Sequence, residues 1–370
     1  FTGSESTDDN NDIVSYNWDF GNGDSTTVVN PSYTFTQAGS YEVILTVTDG
    51  DGIADTETIV INVDNATPCQ WNNLADSSLA KVESQSAKVG DKLYVMAGFL
   101  SGLQITGATE IYDSNTNVWS NGAPMPLPVT HMGIAVVGTD IWIVSGFAGN
   151  HPGTATEKVQ IYSTVSNSWS YGPDLPAPRG SGAVAFNNGK IHYFGGLLPD
   201  RVTDVGEHYV LDVNNQGLGW VSAAPLPNPR NHLSAASIDG LVYAIGGQYG
   251  HDQGVQDQNF LDVYNPATDE WTRLASLPSA RSHFEPGTIV HNGKIIILGG
   301  RQGNFFFDDI TEYNPITNQW SERCKLPEKL LAPAAKVFGD RLIVSNGGVN
   351  GERFPTNSTR WIYIEPEIEF

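Results

Sequence analysis

Residues 263–271 read VYNPATDEW and place Trp271 seven residues after a tyrosine that lies in a short apolar strand. The glycine pair Gly246-Gly247 follows the preceding apolar run. The same tyrosine-to-tryptophan spacing recurs from Tyr112, Tyr162 and Tyr313. A turn-rich unit with strands of this kind, repeated along the chain, predicts a fold built from copies of one small β-sheet.

The repeat occurs in more than these four copies. Tryptophans lie at positions 71, 119, 169, 220, 271 and 320, separated by 48, 50, 51, 51 and 49 residues. After each of them, a small residue and a glycine end an apolar strand, at Ala97-Gly98, Ser145-Gly146, Gly195-Gly196, Gly246-Gly247, Gly299-Gly300 and Gly347-Gly348. Six such pairs predict six blades of four strands, and the pattern resembles the kelch motif of β-propellers.

A ring of blades must close, and the usual device completes the last blade with a strand from the other terminus. Trp71 precedes Gly98 by 27 residues, the same spacing that separates Trp119 from Gly146. Residues 70–74 are therefore predicted to be the outer strand of the sixth blade, paired with residues 361–364. In the alternative, residues 367–370 occupy this position, because Phe370 lies seven residues after Tyr363.

The first 64 residues form a different unit. Residues 15–24 read SYNWDFGNGD, and they are followed by NPSYTF at 30–35 and GSYEVILTVTDG at 39–50. This arrangement resembles the polycystic-kidney-disease (PKD) domain. The resemblance implies an immunoglobulin-like β-sandwich that is truncated here, because its first strand is expected upstream of Phe1, and it implies an upstream domain of the same polypeptide as a partner. The predicted fold is all-β, with a PKD-like sandwich at 1–64 and a six-bladed kelch-like propeller at 65–370.

Charge and motif content exclude several classes of function. The 370 residues carry 41 acidic and 19 basic side chains, a formal net charge of −22, which repels nucleic acid and anionic membrane surfaces. No apolar window has the length of a membrane-spanning helix. The sequence also lacks the GxSxG elbow, the HExxH pair and the glycine-rich phosphate loops. We expect no nucleic-acid partner and no membrane insertion.

The two cysteines allow at most one disulfide. Cys69 precedes one blade tryptophan and Cys324 follows another. Because the outer strands of neighbouring blades diverge, we expect free thiols.

Arginine and histidine recur at fixed places between the blades. The third residue after a Leu-Pro or Met-Pro is arginine, and the fifth is histidine, in several repeats, at Arg179, Arg230 and Arg281 and at His131, His232 and His283. In a propeller these positions enter the innermost strands, so the side chains are predicted to converge at the mouth of the central channel. There they would bind an anion or a polyol. The alternative for each arginine is a structural role in satisfying turn carbonyls.

The loops after the glycine pairs should crown the same face and add Arg301 and Arg353 to the predicted ligand site. Glu285 shares a strand face with His283 and is the best candidate for a general acid or base, because burial near the channel would raise its pKa. His283 is the alternative for that role. For the histidines, hydrogen bonds to backbone or water are favoured over metal ligation.

Acidic turns in the first unit suggest a possible cofactor. Asp8 and Asp12 lie in one turn, and Asp49 and Asp51 lie in another. Calcium would relieve the repulsion between such hard oxygen ligands. The alternative is that both turns are solvated, and no other cofactor is expected.

The two resemblances together imply a secreted or cell-surface bacterial protein. Non-enzymatic binding of a glycan or protein ligand at the propeller mouth, with the PKD domain as spacer, is the first hypothesis, because function does not follow from fold. The second is an enzyme of the N-acetylneuraminate epimerase (sialic acid mutarotase) type. There, Arg230 or Arg281 would hold the sugar carboxylate and Glu285 or His283 would assist ring opening. The third is a structural module of a larger adhesin or filament.

Overall fold

The computed structural model describes residues 1–35, 39–63 and 69–364. The chain divides into two compact units, Phe1–Gln70 and Trp71–Phe370. Both consist of β-strands, and the helical elements of the described residues are three single 3-10 turns, at Ser101–Leu103, Gln216–Leu218 and Glu285–Gly287. None of these described helices has the length and hydropathy needed to cross a membrane.

The first unit is built on one antiparallel sheet. Its strands, in spatial order, are Ser25–Thr26, Ser15–Asp19, Gly39–Thr48 and Ala54–Val63. Gly39–Thr48 and Ala54–Val63 form a hairpin, with Val43 opposite Ile59 in the register. Alternate residues of the strands face inward and form a core of Trp18, Phe20, Val43 and Leu45. Phe1, Tyr33 and Phe35 pack against this core from outside the sheet.

The second unit contains six antiparallel sheets around the propeller among the described residues, five with four strands and one with five, and we call them blades 1 to 6. From inner to outer strand, blades 1 to 3 are Gln85–Val89, Lys92–Met96, Thr109–Asp113 and Val118–Asn121; Gly133–Val137, Asp140–Ala148, Thr154–Ser163 and Ser168–Tyr171; Ala183–Asn187, Lys190–Phe194, His208–Asp212 and Val221–Ala223.

Blades 4 to 6 repeat this plan. Their strands are Ser234–Ile238, Leu241–Ile245, Leu261–Asn265 and Glu270–Arg273; Thr288–His291, Lys294–Leu298, Asp309–Asn314 and Gln319–Lys325; Ala334–Phe338, Arg341–Ser345, Thr359–Tyr363 and Asn72–Asn73. The innermost strands contact one another in a closed cycle, from blade 1 through blade 6 and back to blade 1. The sheets therefore surround one central axis.

Two-residue strands pair in the connections at one end of the blades. They are Phe99–Leu100 with Gln104–Ile105, Val129–Thr130 with the second strand of blade 2, Gln248–Tyr249 with Gln256–Asp257, Arg301–Gln302 with Phe305–Phe306, and Leu330–Leu331 with Gly348–Val349.

The blade tryptophans hold neighbouring outer strands together. Each indole Nε1 donates to a backbone carbonyl of the adjacent blade or of the segment that follows its outer strand. The bonds are Trp119 to Ala75, Trp169 to Ala123, Trp220 to Pro173, Trp271 to Ala224, Trp320 to Ala275 and Trp71 to Lys325, all between 2.7 and 2.9 Å. These tryptophans therefore have a structural role in the propeller. Trp142, in the second strand of blade 2, is also buried in the core between blades.

The ring closes through the segment that begins at Trp71. Asn72 lies opposite Trp361 and Asn73 opposite Arg360, so Asn72–Asn73 is the outer strand of blade 6. The indole of Trp71 makes the same bond to blade 5 that each other tryptophan makes to its neighbour. The alternative segment, residues 367–370, lies outside the described residues, as do residues 64–68 around the predicted domain boundary.

The glycine pairs allow neighbouring blades to approach closely. Gly247 N donates to the carbonyl of Arg281 in the next blade connection at 2.9 Å. A Cβ on Gly246 would lie 2.7 Å from that same carbonyl oxygen, and a Cβ on Gly247 would lie 2.7 Å from the carbonyl oxygen of Asn231. A side chain at Gly246 would therefore clash with the turn into the next blade, and one at Gly247 would clash with the turn into its own blade.

The expectation of free thiols is wrong, because Cys69 and Cys324 are joined in a disulfide. The prediction relied on divergence of the outer strands. At the closure, however, Trp71 and Cys324 both pack against the core of blades 5 and 6, and Trp71 bonds to Lys325 beside Cys324. The start of the closing strand is thus held next to the outer strand of blade 5.

Removing the disulfide is expected to destabilise the propeller, because the closing strand has only two paired residues. We expect Cys324→Ser to lower the free energy of unfolding by about 2–4 kcal/mol, measured by chemical denaturation. Cys69→Ser and the double variant should show the same loss, since all three remove one bond. Labelling of both cysteines by a thiol reagent in the native protein, without reductant, would contradict the pairing.

Candidate functional site

A channel follows the central axis of the propeller. Its wide part is a cavity of about 680 Å³ lined by the innermost strands of all six blades. A narrower pocket adjoins it, and the two share the lining residues Gln85, Met132, Gly182 and Glu285. We call this narrower pocket, with the loops beside it, the mouth.

Six equivalent residues surround the mouth, one from each turn into an innermost strand. All six have a left-handed backbone, with φ between 46° and 57°: Glu83, His131, Ser181, His232, His283 and Ala332. Backbone bonds link neighbours in this ring, since Ser181 N donates to His131 O at 2.8 Å and His232 N to Ser181 O at 2.9 Å. The predicted convergence of three histidines from different blades is what the structure places here.

Sequence reasoning missed Glu83, the member from blade 1. Its segment has no Leu-Pro dipeptide, which was the marker used to align the others. A second marker would have found it. Glu83 precedes Gly98 by 15 residues, the same spacing that separates His131 from Gly146 and His232 from Gly247.

The three predicted arginines, Arg179, Arg230 and Arg281, which we call the arginine column, are buried and form ion pairs with carboxylates, although Nε of Arg179 and Nε of Arg281 have no hydrogen-bond partner among the described residues. Arg230 has no exposed surface, and its guanidinium donates to the carbonyls of Gly246, Asn228 and Ala244 and lies 2.9 Å from Asp262. Arg281 makes a two-pronged pair with Asp309, at 3.0 and 2.7 Å, and lies over the ring of Phe307.

The other members of this column follow the same plan. Arg179 donates to Glu207 at 3.1 Å and to the carbonyl of Pro178. In blade 1, Lys81 stands at the equivalent position, buried 2.9 Å from Glu110. Each cation therefore ties a turn to the third strand of its own blade, which supports the structural alternative for Arg179, Arg230 and Arg281 and leaves the mouth to other groups.

Four imidazoles cluster at the mouth. The ring of His232 stacks on that of His283, with centroids 3.9 Å apart, and stands perpendicular to that of His131 at 4.9 Å. His251, from the loop after the glycine pair of blade 4, stacks on the other side of His232 at 4.9 Å. The sequence placed His251 on the rim loops but did not connect it with the histidine column.

Burial controls the charge of this cluster. Desolvation holds the pKa of His131, His232 and His283 well below the usual value, and it lowers the pKa of His251 to about 4. The imidazoles are therefore neutral near pH 7. Burial also raises the pKa of Glu83 well above its usual range, with nearby Glu352 adding to the effect.

The predicted rim arginines differ in their surroundings. Arg301 is half-buried, with Nη1 3.3 Å from Glu352 and with a buried Nε that has no hydrogen-bond partner. Arg353 is exposed. Arg201 is buried, stacks on Phe147 at 4.2 Å and pairs with Asp252 at 3.1 Å. Of these three, Arg301 is the cation with a buried donor that has no hydrogen-bond partner among the described residues.

Glu285 lines both the channel and the mouth. It begins the 3-10 turn Glu285–Gly287, however, and does not share a strand face with His283 as predicted. Burial raises its pKa to about 7. Lys336, which the sequence did not single out, lines the channel, and burial lowers its pKa to about 7. Its Nζ donates to Ser86, Ala335 and Pro286 at 2.9 to 3.1 Å, so all three of its hydrogens are engaged.

Some of the acidic side chains in the two turns of the first unit lie close enough to interact. Asp12 interacts with Asp8 and Asp49, and its pKa is raised by desolvation and by these two carboxylates. Asp49 Oδ1 instead accepts from the backbone N–H groups of Asp51 and Ile53, at 3.0 and 2.7 Å. Calcium at Asp8, Asp12, Asp49 and Asp51 stays a prediction.

Comparison with known families agrees with this architecture. The PKD-domain model matches residues 1–63, the Kelch-motif model matches residues 84–126 and 128–176, and the KLHDC2/KLHL20/DRC7 Kelch-repeats domain matches residues 171–348. The PKD and kelch resemblances are thereby confirmed.

The individual proteins that resemble this chain share less than 30% sequence identity with it in the three examples that follow. Kelch-like protein terF of Aspergillus terreus is 26% identical over 304 residues, covering 76% of this chain and 65% of that protein. The N-acetylneuraminate epimerase of Shigella sonnei is 29% identical over 243 residues, covering 52% of this chain and 63% of that enzyme. The chain thus spans less than two thirds of the length of either relative. The solved structure of YjhT superposes with a TM-score of 0.64 at 15% identity, over 77% of this chain and 95% of YjhT, which shows a shared fold.

Substituting the arginine column should affect stability. We expect Arg281→Ala to lower the free energy of unfolding by about 3–5 kcal/mol, because it leaves Asp309 without its partner in a mostly buried pair. Arg353→Ala, on the exposed rim, should change it by less than about 0.5 kcal/mol. Urea unfolding of both variants provides the measurement. Wild-type stability in Arg281→Ala would mean that this guanidinium is available to a ligand.

Proposed function

Because the chain carries a PKD domain followed by kelch repeats, we propose that it is a secreted or cell-surface recognition protein whose propeller binds a glycan at the mouth, with the PKD domain as spacer. A disulfide in a chain of this kind supports an oxidising, extracellular location. The strongly acidic composition, with a net charge of −22, supports a partner other than nucleic acid.

The unpartnered polar atoms at the mouth carry this proposal. His232 Nε2, Ser181 Oγ and Arg301 Nε are buried and have no hydrogen-bond partner among the described residues. Buried polar atoms are normally satisfied, so groups of this kind mark a place for a ligand or water. Sugar hydroxyls both donate and accept, which suits neutral imidazoles beside one guanidinium. A protein ligand would instead have to insert a polar side chain into this narrow pocket.

The ligand can be tested by glycan-array screening followed by calorimetry on the best hit. We expect Arg301→Gln to weaken binding by about ten- to a hundredfold, as for one charged hydrogen bond of about 1.5–3 kcal/mol. Arg323→Gln, which removes an arginine paired with Glu312 on the outer side of blade 5, is the matched control. Glycan binding that is equal in both variants, or no binding to any glycan, would refute the mouth as a glycan site.

Sugar mutarotation is the second candidate, and Glu285 is the observation that favours it. A channel carboxyl with a pKa of about 7 can take up and release a proton at neutral pH. The similarity to the N-acetylneuraminate epimerase of Shigella sonnei suggests the class of substrate. In this candidate the arginine that would hold the sugar carboxylate is Arg301, because Arg230 and Arg281 are engaged elsewhere.

The enzyme candidate has its own pH signature. The carboxylate form of Glu285, which would act as the base, predominates above about pH 7 and is lost as the pH falls below this value. We expect NMR exchange rates of sialic acid anomers to fall about tenfold per pH unit below 7 and to be abolished in Glu285→Gln. Glu322→Gln, on an exposed outer strand, is the control. Exchange no faster than in buffer would exclude this activity.

A further inference from the structure

The orientation of the mouth histidines points to a second property of this site, which does not depend on the identity of the organic ligand. In three blades, the histidine Nδ1 forms a hydrogen bond with a side-chain oxygen of the preceding residue. The pairs are His131 with Thr130, His232 with Asn231 and His283 with Ser282. Metal-binding histidines are commonly oriented in this way, with one ring nitrogen anchored and the other directed at the metal.

The protonation of His232 follows from its neighbours. Asn231 Nδ2 donates to Asp204 Oδ1 and to the carbonyl of Gly250, so its Oδ1 is the atom that faces His232 Nδ1. An amide oxygen only accepts, and Nδ1 must therefore carry the hydrogen. The remaining nitrogen, Nε2, therefore carries a lone pair. This nitrogen is buried and has no hydrogen-bond partner. A hydrogen-bond donor or a metal ion is required there.

His251 shows the same arrangement with a carboxylate. Asp252 Oδ1 lies 2.7 Å from His251 Nδ1. Arg201 Nη2 also lies near this nitrogen, at 3.3 Å, but Arg201 Nε already donates to Asp252 Oδ2 at 3.1 Å. The shorter contact assigns the Nδ1 hydrogen to Asp252 and leaves Nε2 as an acceptor. A carboxylate behind a ligating histidine raises the basicity of the ligating nitrogen.

His131 completes the group. Its Nδ1 lies 2.8 Å from Thr130 Oγ1, and its Nε2 lies 3.1 Å from Glu83 Oε2. One ring nitrogen of His131, one of His232 and one of His251 all lie within 4.8 Å of one another. Three imidazole nitrogens from two blade turns and one loop therefore converge, with the Glu83 carboxyl beside them.

We propose that His131, His232 and His251 bind a transition-metal ion of the Zn²⁺ class through their Nε2 atoms, with the fourth position open to the mouth. Imidazole ligands favour zinc, copper, nickel and iron over calcium or magnesium. Three histidines with one open position are the ligand set of catalytic zinc sites. Glu83 can occupy that position or hydrogen-bond to a water molecule there.

The positive and negative side chains around the three histidines balance one another. Arg201 and Arg301 oppose a bound cation, whereas Asp252 and Glu352 favour it. Zinc–nitrogen bonds of about 2.0–2.1 Å require the nitrogens to approach to about 3.3 Å. The His251 loop, which lies between the short strands Gln248–Tyr249 and Gln256–Asp257, can provide much of that movement.

The test uses the full chain, without a histidine tag, after removal of metal with a chelator. We expect calorimetry to show one Zn²⁺ per chain, and Co²⁺ to give the visible absorption of a four-coordinate site with nitrogen ligands. His251→Ala and His232→Gln should each weaken Zn²⁺ binding by more than about a hundredfold. His291→Ala, an imidazole that lines the channel away from the mouth, should bind Zn²⁺ like the wild type.

His251 is on a loop, so its variant should keep the wild-type melting temperature and remain informative if His232→Gln unfolds. A chain that binds no Zn²⁺ in a one-to-one ratio, or a His251→Ala variant that binds like the wild type, would overturn the proposal. Zn²⁺ is titrated without glycan, and glycan binding is measured on both the chelated and the zinc-loaded chain. Failure of the metal site is thereby distinguished from failure of the glycan site.

Discussion

The bond from each blade tryptophan to a carbonyl of the neighbouring blade is the interaction on which the propeller depends. A β-sheet with four short strands cannot bury its two faces alone, so each blade needs both neighbours. The indole supplies apolar area and one directed hydrogen bond, and the same contact recurs at every junction, including Trp71 to Lys325. The junction at Trp71 joins the two ends of the propeller, so no short chain connection links the strands that meet there. The disulfide between Cys69 and Cys324 supplies a covalent connection at this junction.

A second constraint separates structure from function within one short segment. In four of the six turns into an innermost strand, the residue two before the left-handed residue is a cation that points back into its own blade, as Arg230 does to Asp262. The left-handed residue itself faces the axis, as His232 does. One short segment, such as Arg230 to His232, therefore contains one position that stabilises the blade and one that lines the mouth. Substitution at the second position can change the ligand without affecting the fold.

Sequence periodicity was sufficient for the repeat, for the PKD resemblance and for the histidines of the mouth, because each depends on spacing along the chain. It was insufficient where partners come from distant segments. The carboxylates that engage Arg230 and Arg281 lie on third strands, 32 and 28 residues away. His251 reaches the cluster from a loop whose path has no periodic marker. The cysteine pair depends on closure of the ring, across the whole length of the propeller.

The balance of charge at the mouth determines what it can bind. Three protonated histidines beside arginines would form an anion site, but burial keeps the imidazoles neutral and the column arginines are already paired with carboxylates. What remains is a set of lone pairs with one guanidinium, Arg301. Lone pairs on imidazole attract hydroxyl hydrogens or a metal ion, and a bound metal ion would in turn attract hydroxyl oxygens. A glycan and a metal ion therefore fit one site when the metal ion takes His232 Nε2 and the glycan takes the open coordination position, Ser181 Oγ and Arg301 Nε.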